Sequence, residues 1–72
     1  MKRKLPFKCK VYEGSVELAN RFTGDRVTVP GDAAAVYDKI MGSEIFGDYK
    51  TMRKGLDWFI NNEPDAYMVL LD

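Results

Sequence analysis

The stretch Tyr49 to Asn61, YKTMRKGLDWFIN, constrains this chain more than any other. Wound as a helix at about 100° per residue, it gathers Tyr49, Met52, Leu56, Phe59 and Ile60 into one sector of about 100°. Trp58 stands apart, about 180° from Tyr49 and beside Thr51 and Lys54, with Gly55 between it and the stripe. Such a helix is either sandwiched between two elements or presents an anchor to something outside the chain.

At 72 residues the chain makes one domain, and a domain of this size buries only about 60% of the surface its unfolded chain exposes. A single core this small rarely contributes more than about 3–5 kcal/mol. Cys9 is the only cysteine and there is no histidine, so neither an intrachain disulfide nor the usual zinc ligand sets can be assembled. No cofactor or metal is implied. Association, with another protein or as a homodimer, remains as the extra support.

Formal net charge is zero, with 11 basic and 11 acidic side chains, which gives no polyelectrolyte argument for nucleic acid or an anionic membrane. The distribution is uneven: residues 1–29 carry a net +4 and residues 30–72 a net −4. The two halves, or two protomers, could dock by charge; ordinary solvated surfaces are the alternative. Met1 to Lys4 resembles the charged start of a signal peptide, but the apolar run that must follow is replaced by Pro6-Phe7-Lys8-Cys9-Lys10. With no apolar stretch of membrane-spanning length, a reducing cytoplasm is the expected compartment.

Residues 1–5 read as a flexible basic arm. Phe7, Cys9 and Val11 alternate with Lys8, Lys10 and Tyr12, the period of a half-buried strand. After a turn at Glu13-Gly14, Val16 and Leu18, and with them Asn20 and Phe22, share one face, while Glu17 and Arg21 share the other. Thr23-Gly24-Asp25 is the next turn, and Val27 and Val29 mark a third short strand. A three-stranded antiparallel meander over residues 7–29 is therefore expected, followed by a helical half over 32–72. Asp32 is placed to cap a helix over Ala33 to Met41 that Gly42 ends. Ser43 to Gly47 reads as a linking turn with room for one helical turn, Ile45 and Phe46 tucked inward, and Asp48 as the cap of the Tyr49 helix. Pro64 and Asp65 suit a helix start; Ala66 to Leu71 is apolar all round, so a short helix is preferred and an edge strand stays open.

Chemistry is thinly supplied. Cys9 has no histidine to activate it, and Ser15 and Ser43 have no base in any motif. The carboxylates, Asp38 with Glu44 for example, follow no spacing of a glycosidase or metal site. No catalytic residue is expected. A nucleic-acid reading rests on Lys2, Arg3, Lys4, Lys8, Lys10 and Tyr12, which could place positive charge beside an aromatic ring. A protein-binding reading rests on Trp58 with Lys54, Thr51, Tyr49 and Tyr67, residue types enriched at binding hot spots; the competing role for Trp58 is core, because a chain short of apolar volume needs its largest side chain inside.

Val36 to Glu44, Gly47-Asp48-Tyr49, Arg53 to Phe59, Pro64 to Tyr67 and Leu70-Leu71-Asp72 together resemble a set of small uncharacterised proteins of tailed bacteriophages. That resemblance covers about the last two thirds of the chain and brings no catalytic residue with it. It implies action in an infected bacterial cytoplasm, where small accessory proteins bind host machinery. The front hairpins also faintly resemble a zinc ribbon that has lost its ligands, Cys9 excepted. The expectation is an α+β fold, a three-stranded antiparallel β-meander followed by two or three packed α-helices, in a non-enzymatic accessory protein that binds another protein, or alternatively nucleic acid through its basic half.

Overall fold

A computed structural model describes residues 3–71. Two strands, β1 (Ser15–Ala19) and β2 (Arg26–Pro30), are followed by helices α1 (Gly31–Phe46), α2 (Tyr49–Asn62) and α3 (Pro64–Leu70). The strands pair antiparallel with Val16 opposite Val29 and Leu18 opposite Val27, so one face of the hairpin is apolar and the other carries Glu17, Arg26 and Thr28.

The expected third strand is absent from the described residues. Only one backbone bond ties Lys8 to Tyr12 to the region of the hairpin, from Tyr12 N–H to the Gly31 carbonyl at 3.4 Å. The alternation of Phe7 and Cys9 with lysines is real, but it serves helices rather than a sheet. Phe7 lies against α2 beside Gly55, and Cys9 borders Ala35 and Lys39 of α1. Residues 3–12 form a strap laid along the helices without a ladder of hydrogen bonds; it half-buries Arg3, Leu5, Pro6, Phe7 and Cys9, while Val11, expected to face inward with them, is 48% exposed.

The organising element is α1 rather than α2. Ala33, Ala34 and Val36 are completely buried and Ala35 and Tyr37 nearly so, because small side chains let the hairpin and α2 approach from several sides at once. α2 packs on α1 and α3 and does not reach the hairpin; α1 and α3 cover it. Phe59, fully buried, sits at the centre with its ring 6.2 Å from both Tyr37 and Trp58.

Helix boundaries also depart from expectation. α1 runs through Gly42 to Phe46 and stops at Gly47, whose φ of 75° is left-handed, a conformation glycine adopts without Cβ strain. Its amide returns to the Glu44 carbonyl and that of Asp48 to Ser43, at 3.2 and 2.9 Å. The helical turn allowed for residues 43–46 is the continuation of α1 rather than part of a separate link, and Ile45 and Phe46 point outward, 78% and 87% exposed. Asp32 is inside the first turn rather than at the cap, which Pro30 occupies. Asp48 does cap α2, accepting Thr51 N–H at 3.2 Å and the Thr51 hydroxyl at 2.7 Å. Residues 64–70 are helix, with Pro64 in the first turn.

Candidate interaction surface

Trp58 belongs to the core. It is 9% exposed, its indole N–H donates to the Lys4 carbonyl at 2.7 Å, and the Arg3 guanidinium lies 4.8 Å above its ring. Arg3 fastens that cover. It donates to both Asp32 oxygens at 2.6 and 2.9 Å, to Glu63 at 2.8 Å and to the Asn62 carbonyl at 3.3 Å. The bidentate fork holds the Asp32 carboxyl below its ordinary range, the Arg3 hydrogen bonds being the main cause and partial burial opposing it. From Arg3 onward the basic arm, expected to be free, is hydrogen-bonded to the helix ends, a bridge that suits the planar fork of a guanidinium.

The protein-binding candidates do not form one patch. Thr51 is committed to the α2 cap, and its hydroxyl holds the Asp48 carboxyl low. Lys54 is exposed and does not line the groove that Tyr49 and Tyr67 share. Tyr49 and Tyr67 do come together: with Ile40, Met41, Met52, Leu56, Leu71 and Glu44 they line an apolar groove of about 380 Å³ between the three helices. Met41, Glu44 and Leu71 also wall a neighbouring depression that reaches Phe22 and Arg21, where Arg21 pairs with Glu44 at 3.0 Å.

Two large side chains on these grooves stay outside, Phe22 83% exposed and Tyr49 65%. Ile45 and Phe46 end α1 a few residues before Tyr49 begins α2, and Phe46 borders a separate depression with Asp38, Lys39, Gly42, Ser43 and Asp48. Expecting Ile45, Phe46 and Phe22 to face inward was incorrect. The available signal was Gly47-Asp48, a left-handed stop followed directly by an N-cap, which moves the end of α1 four residues past Gly42 and turns its last two apolar residues to solvent.

Of the nucleic-acid candidates, Lys2 lies outside the described residues, and Arg3 is held by two carboxylates. Lys4, Lys8 and Lys10 are exposed along the strap. The Tyr12 hydroxyl donates to Asp38, which raises its pKa. The opposed charges of the two halves meet within the molecule: Arg3 with Asp32 and Glu63, and Arg21 with Glu44, join residues 1–29 to 30–72.

Among the described residues no group of three potential metal ligands occurs, and no helix is long and apolar enough to cross a membrane. Comparisons with protein-family models, curated proteins and solved structures gave no match.

Proposed function

We propose that the chain is a non-enzymatic accessory protein that acts by binding another protein through the apolar corner where α1 meets α2. The observation that carries this reading is the exposure of Tyr49 on the groove of Met41, Met52, Leu56 and Tyr67 and of Phe22 on the depression next to it, with Ile45 and Phe46 also exposed at the end of α1. Exposed apolar surface of this kind marks interaction sites. Within the same proposal, the partner is a protein of an infected bacterial cytoplasm, a reading that rests on the tailed-phage resemblance. Capture from such a cytoplasm followed by mass spectrometry tests it with Ile45→Glu and Tyr49→Glu as comparators, their folding checked by circular dichroism. The reading expects folded variants to lose what the parent chain captures; equal capture by both would remove it.

A second reading is favoured by one observation, the exposed row of Lys4, Lys8 and Lys10 beside Tyr12. Three phosphate contacts would give a log–log salt slope of about −2.7 for a duplex. A salt-insensitive interaction, or none, excludes nucleic acid.

A further inference from the structure

We propose that the outer edge of β1, whose residues line neither groove, is a second binding surface that takes an extended segment of another protein as an added antiparallel strand. The backbone selects this occupant. Pro30, which has no N–H, stands opposite Ser15, and the Asn20 N–H donates to the Asp25 carbonyl at 2.8 Å one step beyond the last strand pair. This phase gives the backbone groups of Val16 and Leu18 to the ladder with β2 and points those of Ser15, Glu17 and Ala19 away from it. The outward groups have no backbone hydrogen bond among the described residues, and all three residues are exposed. A row of amides and carbonyls so arranged is a template for one more strand.

Of the hairpin's two edges, β1 is the one without protection. The β2 edge ends in Pro30 and carries Arg26, and α3 packs mainly on that strand; each discourages further pairing. β1, SVELA, holds no proline, glycine or lysine and pairs with β2 without a bulge. Its apolar face is also incompletely covered, Val16 and Leu18 being half-buried while Val29, opposite Val16, is 1% exposed. A neighbouring strand with apolar side chains at alternate positions covers both and turns a two-stranded hairpin into a three-stranded sheet.

Charge decides between a second copy and a foreign chain. Two β1 edges paired antiparallel over their full length set Glu17 opposite Glu17, a destabilising contact of like charges; moving the axis to avoid it leaves only residues 15–17 or 17–19 overlapped. The Glu17 side chain is 59% exposed and its link to Arg26 is 3.4 Å long, so its other flank is open to a basic side chain. The segment that fits follows the pattern of β2 itself, apolar residues alternating with polar ones, with Lys or Arg opposite Glu17.

Amide NMR of the intact chain, titrated to millimolar concentration with the end-capped peptide Thr-Val-Lys-Val-Thr, tests the proposal. The expected result is that the Glu17 and Ala19 amides shift and exchange more slowly with solvent, while exchange at Arg26 and Thr28 is unchanged. Thr-Val-Glu-Val-Thr should bind roughly threefold more weakly, a preference that the exposed substitution Glu17→Lys reverses, and N-methylation at the peptide's lysine should abolish the response. Shifts that spare Glu17 and Ala19, or no response at millimolar peptide, overturn the proposal. Slowing of those amides with protein concentration alone also overturns it, by giving the edge to a second copy. None of these outcomes bears on the groove, whose reading stands or falls with the capture experiment.

Discussion

Replacing Arg3 with alanine tests the claim that a single N-terminal guanidinium holds the strap over Trp58. The substitution removes hydrogen bonds of 2.6 and 2.9 Å to Asp32 and of 2.8 Å to Glu63, together with the cation stacked on the indole. Hydrogen bonds to charged groups contribute about 1.5–3 kcal/mol each when protected. Here the three side chains are 29%, 19% and 20% exposed, so solvent screens part of the attraction, and bonds sharing one donor group do not add. A net loss of about 2–3 kcal/mol follows, against a total that for a core this small is about 3–5 kcal/mol. At about 4–8 °C per kcal/mol, Tm should fall by about 10–20 °C. Trp58, the only tryptophan, reports the transition in urea or heat, and its native emission should shift red as the cover loosens. Lys4→Ala is the control, within about 0.5 kcal/mol of the parent chain, because only the Lys4 carbonyl is used. Acid adds a second check. The folded Asp32 pKa lies below its ordinary 3.8, so the stabilisation it carries is complete above that value and is lost as pH falls through the depressed one. The gap between parent and Arg3→Ala must therefore narrow below about pH 4. A neutral-pH difference under about 0.5 kcal/mol, or a gap indifferent to acid, refutes the reasoning.

Gly42 and Gly55 should respond oppositely to alanine. A Cβ at Gly42 meets nothing within 4 Å, whereas one at Gly55 would lie 2.5 Å from Ile40 Cγ1 and 3.2 Å from the Phe7 ring; urea melts should show a gain of about 0.5–1 kcal/mol for the first and a loss of about 1–3 kcal/mol for the second. Asn20→Ala should cost about 2–3 kcal/mol, because its amide donates to Val69 and Leu70 carbonyls while its oxygen accepts from Phe22 and Thr23. Asn20→Asp should rescue little of that loss by the same melt, since it turns a carboxylate oxygen toward those carbonyls. Burial pushes the Cys9 thiol up, so iodoacetamide should label it more slowly at neutral pH in the folded chain than in urea, and equal rates would contradict a strap lying on α1.

Element types were largely legible, and the errors share one cause. The Asp48 cap, the β1–β2 hairpin, the proline-led last helix and the α+β class follow from local rules that act over a few residues. The strap at Phe7–Tyr12 reads as a strand in the sequence because alternation reports only which positions are apolar, not what covers them. Gly42 reads as a stop because glycine near a helix end usually is one, yet its cost of about 1 kcal/mol in a helix interior is small beside the packing of Tyr37, Ile40 and Ser43, all buried on the same helix. The importance of α1 was hidden by its composition. Ala33-Ala34-Ala35 has little amphipathic contrast, and burial from several sides shows in small side chains rather than in a stripe. Among site residues, only the nearness of Tyr49 to Tyr67 emerged in the structure, while Trp58 went to the core as the shortage of apolar volume favoured.

The two ends of the helical pair do different work. At one end the start of α1, the end of α2 and the start of α3 converge, and Arg3 joins them through Asp32, the Asn62 carbonyl and Glu63. Little there is left unsatisfied for a partner. At the other end Gly47 and Asp48 complete the turn between α1 and α2 through backbone and capping bonds alone, so the fold places no demand on the neighbouring side chains. Ile45 and Phe46, 78% and 87% exposed, recover almost none of the free energy that burial gives an apolar group. On the proposed protein-binding reading, apolar residues that contribute nothing to the monomer take their physical rationale from the partner that covers them. The stability of the isolated chain and its capacity to associate should thus be set by different residues at opposite ends of the same helices.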